Sequence, residues 1–240
     1  MLKNGLMKGV LVAALLMSAT VASAQDLGKQ TVNFTLGYFT PLGFDSRDID
    51  DVLIANSTFL QTRGRSFLDL DEFNGASVGG EWLFPLARHI EGGIGVSYTS
   101  QTSHTVYADF VDPDGTEIDQ DLKLRLTPIA FTVRLIPVSP RSPFQPYVGG
   151  GIGLISWKYT EVGEFVDFNA GREIFNGNFE DSGTNVGPVF LGGIRFAGEA
   201  FSTGFEIRYQ HAKGDLGSDF AAPKIDLGGW TYNFTAGVRF

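Results

Sequence analysis

The chain has 240 residues, with 27 acidic and 18 basic side chains, three histidines and no cysteine. An acidic chain of this kind excludes nucleic-acid binding through a broad basic face, and the lack of cysteine excludes a disulfide framework. The 31 glycines and 13% aromatic residues fit short alternating strands, with one face toward either lipid or water.

The first 24 residues have the pattern of an export signal. Lys3 and Lys8 form a positive start, residues 10–17 form an apolar run, and Ala22-Ser23-Ala24 is a small-x-small cleavage pattern. The apolar run is shorter than the roughly 20 residues that a membrane-spanning helix needs. We therefore expect residues 1–24 to be a cleaved signal peptide and residues 25–240 to be one β-barrel domain.

Eight segments of about ten residues then alternate between apolar and polar side chains, as membrane-spanning strands do. The last segment is the clearest, because Trp230, Tyr232 and Phe234 share one face while Thr231 and Asn233 share the other. A soluble sandwich would show the same alternation without aromatic residues gathered at the strand ends. The predicted strands cover residues 32–40, 76–84, 90–99, 122–135, 147–157, 186–196, 203–210 and 230–240.

Two of these segments are less regular. In the fourth, the apolar positions change phase at Thr127-Pro128, which predicts a β-bulge that leaves an amide unpaired next to the proline. The fifth contains Gly149-Gly150-Gly151, and its two faces cannot be assigned from the sequence.

The connections between the strands alternate in length. Residues 85–89, 137–145 and 197–201 are short links, whereas residues 42–72, 101–121, 160–184 and 211–226 are long links. This alternation predicts an all-β, antiparallel, up-and-down transmembrane barrel of eight strands in a bacterial outer membrane. Its termini would be periplasmic and its long loops extracellular. A further hairpin within residues 42–72 would raise the number of strands to ten or more.

The long links also hold 22 of the 27 acidic residues. A solvated, mutually repelling rim is the simple interpretation, and divalent-cation bridging to an anionic surface is the alternative. In the second long link, Asp112-Pro113-Asp114-Gly115 predicts a hairpin tip that projects as a β-ribbon, with an edge that could bind a partner strand. The first long link contains apolar clusters that would either cap the barrel mouth or contact a partner.

The ending from Gly228 to Phe240 resembles the last strand of OmpA-like outer-membrane β-barrel domains. The segment from Phe205 to Tyr209 resembles the penultimate strand of the same family, in which an inward acid and arginine face the lumen. The resemblance implies a membrane-spanning barrel whose terminal Phe240 is an assembly signal for the barrel-assembly machinery. It implies no single activity, because such barrels include adhesins, small-solute pores and lipid-modifying enzymes.

The interior of an eight-stranded barrel is only just wide enough for side chains to fill it. A structural charge network in the lumen, in which each ion has a partner, is the leading interpretation of the inward charges. A narrow pore for small solutes that prefers anions is the alternative. The residues predicted to face inward are Glu81, Glu91, Lys123, Arg125, Arg134, Arg195, Glu206, Arg208 and Arg239.

A lipid-modifying enzyme is the third interpretation. The segment from Arg208 to His211 is similar to a motif of lipid A deacylase barrels, in which a nucleophilic serine follows the histidine by two residues, but this chain has Lys213 there. We expect no catalytic residue, no cofactor and no metal ligand set. The expected partners are outer-membrane lipid, the barrel-assembly machinery and an extracellular ligand, with no nucleic acid. The predicted function is therefore structural and surface-interacting.

Overall fold

Eight strands of the computed structural model close into an antiparallel barrel. The structure describes residues 28–168 and 171–240, so the predicted signal peptide lies outside the described residues. All eight predicted segments are strands, and the predicted eight-stranded fold is confirmed. The barrel strands are β1 (Thr31–Pro41), β3 (Gly75–Ala87), β4 (Ile90–Val111), β5 (Glu117–Leu135), β6 (Phe144–Asp167), β7 (Glu173–Ala197), β8 (Phe201–Gln210) and β11 (Gly229–Arg239).

The barrel closes where its first strand meets its last. β1 pairs with β11 from Thr31 opposite Arg239 to Pro41 opposite Gly229. Beyond that ladder, Gln30 and Phe240 exchange two backbone hydrogen bonds of 3.0 Å. Each of the other barrel strands pairs with the barrel strand before and after it in the chain. This ring leaves no open edge across the barrel wall, which a β-structure surrounded by lipid requires.

The two ends of the barrel differ. The short turns, the start of β1 and the end of β11 lie at one end of the barrel, which we call the short-turn end. At the other end, which we call the long-hairpin end, β4–β7 project far beyond the barrel. The predicted ribbon is confirmed, since β4 and β5 are joined by a tight turn in which Gly115 has a φ of +89°. A positive φ of this kind favours glycine.

The long link predicted over residues 160–184 is itself mostly strand. β6 and β7 continue as a paired hairpin until Asp167 lies opposite Glu173. Glycine and acidic side chains made this stretch look like a loop, but its strands are held by the ladder and by ring contacts of Phe165 with Phe175 and Phe179, whose centroids are 5.8 and 4.8 Å away.

The predicted bulge at Thr127-Pro128 is also wrong, because β5 pairs with β6 in one unbroken register through this point. The apolar side chains change face there instead. Leu122, Leu124 and Leu126 point inward and are buried, whereas Ile129 and Phe131 point outward and are exposed. Within a membrane the outward face of a barrel strand is apolar, and beyond it the apolar face turns to a water-excluding core. The inversion therefore marks the end of the lipid-facing part of β5.

The first and last long links form a cap inside the projecting hairpins. We define the cap as residues 42–74 and 211–228. It contains a short helix, α1 (Val52–Asn56), and two 3-10 helices, Phe44–Ser46 and Leu70–Phe73. A strand β2 (Leu60–Thr62) pairs with β4, and β9 (Lys213–Asp215) pairs with β10 (Lys224–Asp226). The first link thus adds one short strand to the sheet rather than a second membrane hairpin. Val52 and Leu53 are fully buried against Leu122, Ile155 and Tyr159 of the hairpins.

A buried ion pair within the first link, Arg47 with Asp51, also bonds to the last link. Asp51 is the N-cap residue of α1 and accepts a 2.8 Å hydrogen bond from the Leu53 amide. It also accepts hydrogen bonds from Arg47 Nη1 at 2.9 Å and from the backbone amide of Asp226 at 2.6 Å. Arg47 in turn donates to the carbonyl oxygen of Leu42 at 3.0 Å. The first link is thereby fixed to the last.

An apolar belt covers the outside of the barrel between its two ends. Aromatic side chains border it, with Tyr209 and Trp230 in ring contact toward the long-hairpin end and Trp82 and Phe84 toward the short-turn end. Among the described residues, no helix is both long and apolar enough to cross a membrane. The exposed side chains of the belt include Val32, Phe34, Leu36, Tyr38, Val78, Trp82, Val96, Tyr98, Ile129, Phe131, Val133, Leu135, Val148, Ile152, Phe190, Ile194, Phe205, Ile207, Trp230, Tyr232 and Phe234.

Candidate functional site

The lumen contains a central layer of charged side chains built around Arg134. Its Nη2 atom donates to Glu81 Oε1 at 2.5 Å and to Glu206 Oε2 at 2.6 Å. All three side chains are almost completely buried. They come from β5, β3 and β8, so this ion pair network connects three separate parts of the barrel wall.

Arg208 and Tyr147 complete this layer. Arg208 donates to Glu206 Oε1 at 2.8 Å from Nη2 and at 3.1 Å from Nε, and it reaches Glu81 at 3.2 Å. The Tyr147 hydroxyl donates to Glu206 Oε2 at 3.1 Å. The Arg134 guanidinium also lies 4.7 Å from the centre of the Tyr147 ring, a cation–π contact. Each carboxylate therefore receives several donors, as a buried charge requires.

A second layer lies nearer the short-turn end. Arg195 makes a two-pronged contact with Glu91, at 3.0 and 2.7 Å. It also donates to the amide oxygen of Gln145 at 2.9 Å from Nε and at 2.5 Å from Nη2. The planar fork of arginine suits such paired contacts better than lysine does.

The structure brings together six of the nine residues predicted to face inward: Glu81, Glu91, Arg134, Arg195, Glu206 and Arg208. Arg239 also faces inward, but it lies at the short-turn end and donates to the carbonyl oxygen of Gly198 at 2.5 Å. Lys123 and Arg125 were placed wrongly. They lie on the outward face of β5, because the strand continues without the bulge that would have turned them inward.

Sequence reasoning missed two members of the network, Tyr147 and Gln145. Both lie on β6, whose faces the triple glycine left unassigned. In the structure the odd-numbered residues of this part of β6 point inward. Gly151 must be glycine for space, since a Cβ there would lie 1.9 Å from the carbonyl oxygen of Phe131. Alternation places Tyr147 and Gln145 on the same face as Trp157, but the sequence does not show whether that face is the interior.

The network fills the lumen with balanced charge. Its three carboxylates, on Glu81, Glu91 and Glu206, face the three guanidiniums of Arg134, Arg195 and Arg208. The cavity that remains beside Glu81 and Arg208 is about 20 Å³, roughly the space of one water molecule. With Lys123 and Arg125 outside, only Arg239 at the short-turn end remains of the predicted surplus of inward cations on which the anion-selective pore depended.

The residues considered for catalysis form no catalytic arrangement. Lys213, at the position where a deacylase would have its serine, is ion-paired with Asp48 of the cap. His211 is half-buried, and its Nδ1 atom has no hydrogen-bond partner among the described residues. Within residues 28–168 and 171–240, no group of histidine, cysteine and carboxylate side chains is arranged to hold a metal ion.

A buried acid, Glu161, lies on the hairpin wall against the cap and makes no ion pair with any of the described residues. Glu161 on β6 accepts hydrogen bonds from Asn56 Nδ2 at 2.7 Å and from the Tyr159 hydroxyl at 2.9 Å. Burial raises the pKa of this carboxyl group, although the two hydrogen bonds lower it in part. These two hydrogen bonds help to fix α1 to the hairpin wall.

A closed ring of eight strands, an apolar belt with aromatic borders and a packed polar interior define a β-barrel of the transmembrane type. No protein-family model matches the chain, and no curated protein matches it. Solved structures that match the chain include outer-membrane barrels.

Three of these structures show how similar the matches are in sequence identity and TM-score. The outer membrane protein OprG from Pseudomonas aeruginosa is 13% identical with a TM-score of 0.48, covering 90% of this chain and 97% of its own. Neisserial surface protein A is 13% identical with a TM-score of 0.45, covering 88% and 96%. The outer membrane protease OmpT from Escherichia coli is 11% identical with a TM-score of 0.41, covering 88% and 96%. Likeness at this level says nothing about activity.

We predict that Arg134→Met destabilises the barrel by about 3–5 kcal/mol, because it leaves two buried carboxylates without their central partner. Urea unfolding of the protein in lipid vesicles, followed by the band shift on unboiled gels, measures the effect. Arg88→Met is the matched control, which changes an exposed arginine in the short turn between β3 and β4, and we expect a change within about 0.5 kcal/mol. Equal losses in the two variants would contradict the buried position of Arg134 in the network.

We also predict that the stability of the cap depends on pH through Glu161. The folded pKa is raised above the unfolded value of roughly 4.3, so this stability is fully present below that pH and is lost as pH rises through the folded pKa. Each unit of raised pKa corresponds to about 1.4 kcal/mol. Urea titrations of the cap, followed by the fluorescence of buried Trp157, would show the loss.

Glu161→Gln should abolish this dependence, since an amide keeps an oxygen acceptor for Asn56 and cannot ionise. The matched control is Glu173→Gln, which changes an exposed acid at the start of β7 and should leave the slope unchanged. A slope that survives in Glu161→Gln would show that another group is responsible.

Proposed function

We propose that this protein is a non-conducting outer-membrane β-barrel that anchors a folded extracellular domain for contact with surface partners. The observation that supports it best is a pair of cores with opposite chemistry in one chain. The barrel lumen is filled by paired charges, whereas the projecting hairpins and the cap enclose an apolar core. A filled lumen favours an anchor, and a packed external domain favours a binding surface over mobile loops.

The long-hairpin end faces the outside in this proposal, and the termini face the periplasm. Long extracellular hairpins with short periplasmic turns are the usual arrangement of such barrels. The acidic residues concentrated in the four long links would then lie on the cell surface. Phe240, exposed and paired with Gln30 at the closing seam, is the residue we propose the barrel-assembly machinery recognises.

No specific observation favours the other two functions. A pore would need a continuous space, yet Arg134, Arg195 and their partners cross the lumen in two layers. A lipid-modifying enzyme would need a nucleophile beside a base, and Lys213 replaces the serine of the motif that resembled one. We therefore propose no catalytic activity for this chain.

We predict that the hairpin tip is labelled from outside the cell. The chain contains no cysteine, so a single introduced cysteine is the one thiol of the protein that the reagent can label. Asp114→Cys, at the exposed tip of the β4–β5 ribbon, should react with a membrane-impermeant maleimide on intact cells. Ser139→Cys, in an exposed short turn, should react only after the outer membrane is permeabilised. The reverse pattern would contradict the proposed orientation.

We predict that the purified protein adds no steady conductance to planar bilayers, because the two charged layers leave no continuous path. Band-shift and protease-protection assays on the same preparation would establish that the protein has inserted. Reproducible ion-selective channels from inserted protein would contradict the closed lumen and favour the pore.

A further inference from the structure

Three cations lie on the outer wall of the barrel, immediately beyond the apolar belt. Lys123 and Arg125 are on β5 and Lys158 is on β6, all on the face opposite to the buried leucines and aromatic residues of the external core. Ile129, which lies four residues from Arg125 toward the short-turn end, belongs to the exposed belt. These cations are therefore placed next to the lipid boundary and not in the lumen.

Two of the three cations, Lys123 and Arg125, have no acidic partner among the described residues. Arg125 lies directly opposite Lys158 in the β5–β6 ladder, and like charges in directly opposed positions destabilise a sheet. Lys158 is ion-paired with Glu180 at 2.5 Å. Within the part of the chain that the structure describes, Lys123 and Arg125 make no ion pair or side-chain hydrogen bond. An anion bound between Lys123 and Arg125 would give both a partner, and it would also offset the repulsion between Arg125 and Lys158.

Hydroxyl groups surround the three cations on the same outward face. Ser100 and Thr102 of β4 lie opposite Arg125 and Lys123. On the other side, Thr160 of β6 lies opposite Lys123, and Ser156 lies next to Lys158 on the same face. Hydroxyl donors beside guanidinium and ammonium groups form the kind of donor set that binds phosphate oxygens.

On β5, acidic side chains begin only further from the belt, whereas on β7 Glu180 lies at the level of the cations and is paired with Lys158. Asp121, Asp119 and Glu117 follow on the outward face of β5. They are already partnered, Asp121 by His104 at 2.5 Å and the other two by Arg63 at 3.7 and 3.4 Å. Along one strand the order is apolar, then cationic, then acidic. A bilayer surface shows the matching order, with hydrocarbon first and charged headgroups next to it.

We propose that Lys123 and Arg125, beside the Glu180-paired Lys158, bind the phosphate of a lipid headgroup in the leaflet at the long-hairpin end. The site rests on the proposed membrane placement of the barrel and adds to it a defined lipid ligand. A lipid fits better than a soluble phosphate because the site adjoins the belt, where acyl chains would cover Ile129 and its neighbours while the headgroup meets the cations.

The test uses protein purified from the membranes of an expressing bacterium and held in a neutral detergent. Diphosphoryl lipid A is the probe, its dephosphorylated form is the comparison ligand, and native mass spectrometry measures the bound fraction. We expect the double variant Lys123→Gln with Arg125→Gln to lose about tenfold or more in affinity, as the loss of charge-assisted hydrogen bonds implies. The single variant Arg125→Lys, which keeps the charge, should retain most of the binding.

The matched control is Arg63→Gln with Arg65→Gln, which removes the same charge from exposed positions further from the belt and should leave affinity within about twofold. Equal binding by the two double variants, or equal binding of phosphorylated and dephosphorylated lipid, would overturn the site. Full competition by inorganic phosphate would assign a soluble ligand and overturn the lipid. Cysteine labelling tests the membrane placement separately, so a failure there is distinguishable from a failure of lipid binding.

Discussion

The pairing of β1 with β11 is the interaction on which the rest of the structure depends. Backbone groups in a hydrocarbon environment have no water to bind, so every strand of the barrel needs two neighbours. The seam from Thr31–Arg239 to Pro41–Gly229 supplies the last of these pairings. Once the ring is closed, strand alternation forces one face outward to lipid and the other into a narrow lumen. The apolar belt and the polar interior are both consequences of closure.

Closure also explains why the lumen is charged and balanced. Eight strands leave little interior space, and each inward side chain meets the opposite wall. Arg134 bridges carboxylates from β3 and β8, and Arg195 is fixed by Glu91 from β4 and Gln145 from β6. Replacing such buried pairs with apolar residues can be neutral or stabilising in other proteins. Their value here is that long-range partners fix the relative positions of strands far apart in the chain.

The ring of strands could be predicted from the sequence because lipid and lumen impose one rule on every spanning segment. Alternation alone assigned Glu81 and Glu206 to the interior, and it assigned their partners Arg134 and Arg208 there in the same way. The rule fails where the surroundings change. At Thr127-Pro128 the apolar face inverts without any change in register, and the sequence pattern of an inversion is identical to that of a one-residue bulge. The outer part of the β6–β7 hairpin was missed for a different reason, because its glycine and acidic residues are typical of a loop. The buried Glu161 was missed because its surroundings are set by a cap far away in sequence.

The inversion carries information that a bulge would not. A bulge changes which residues face outward but leaves the environment on each side the same, so it predicts nothing about where the membrane ends. An inversion requires that the outside change from lipid to water and the inside from polar lumen to apolar core within a few residues. Lys123 and Arg125 fall just past that change on β5, and Lys158 falls opposite them on β6. Lys158 is paired with Glu180, but Lys123 and Arg125 have no such partner among the described residues. Charged side chains are costly inside the hydrocarbon and need no lipid partner far outside it, so these two unpaired cations are at the level where a headgroup can meet them.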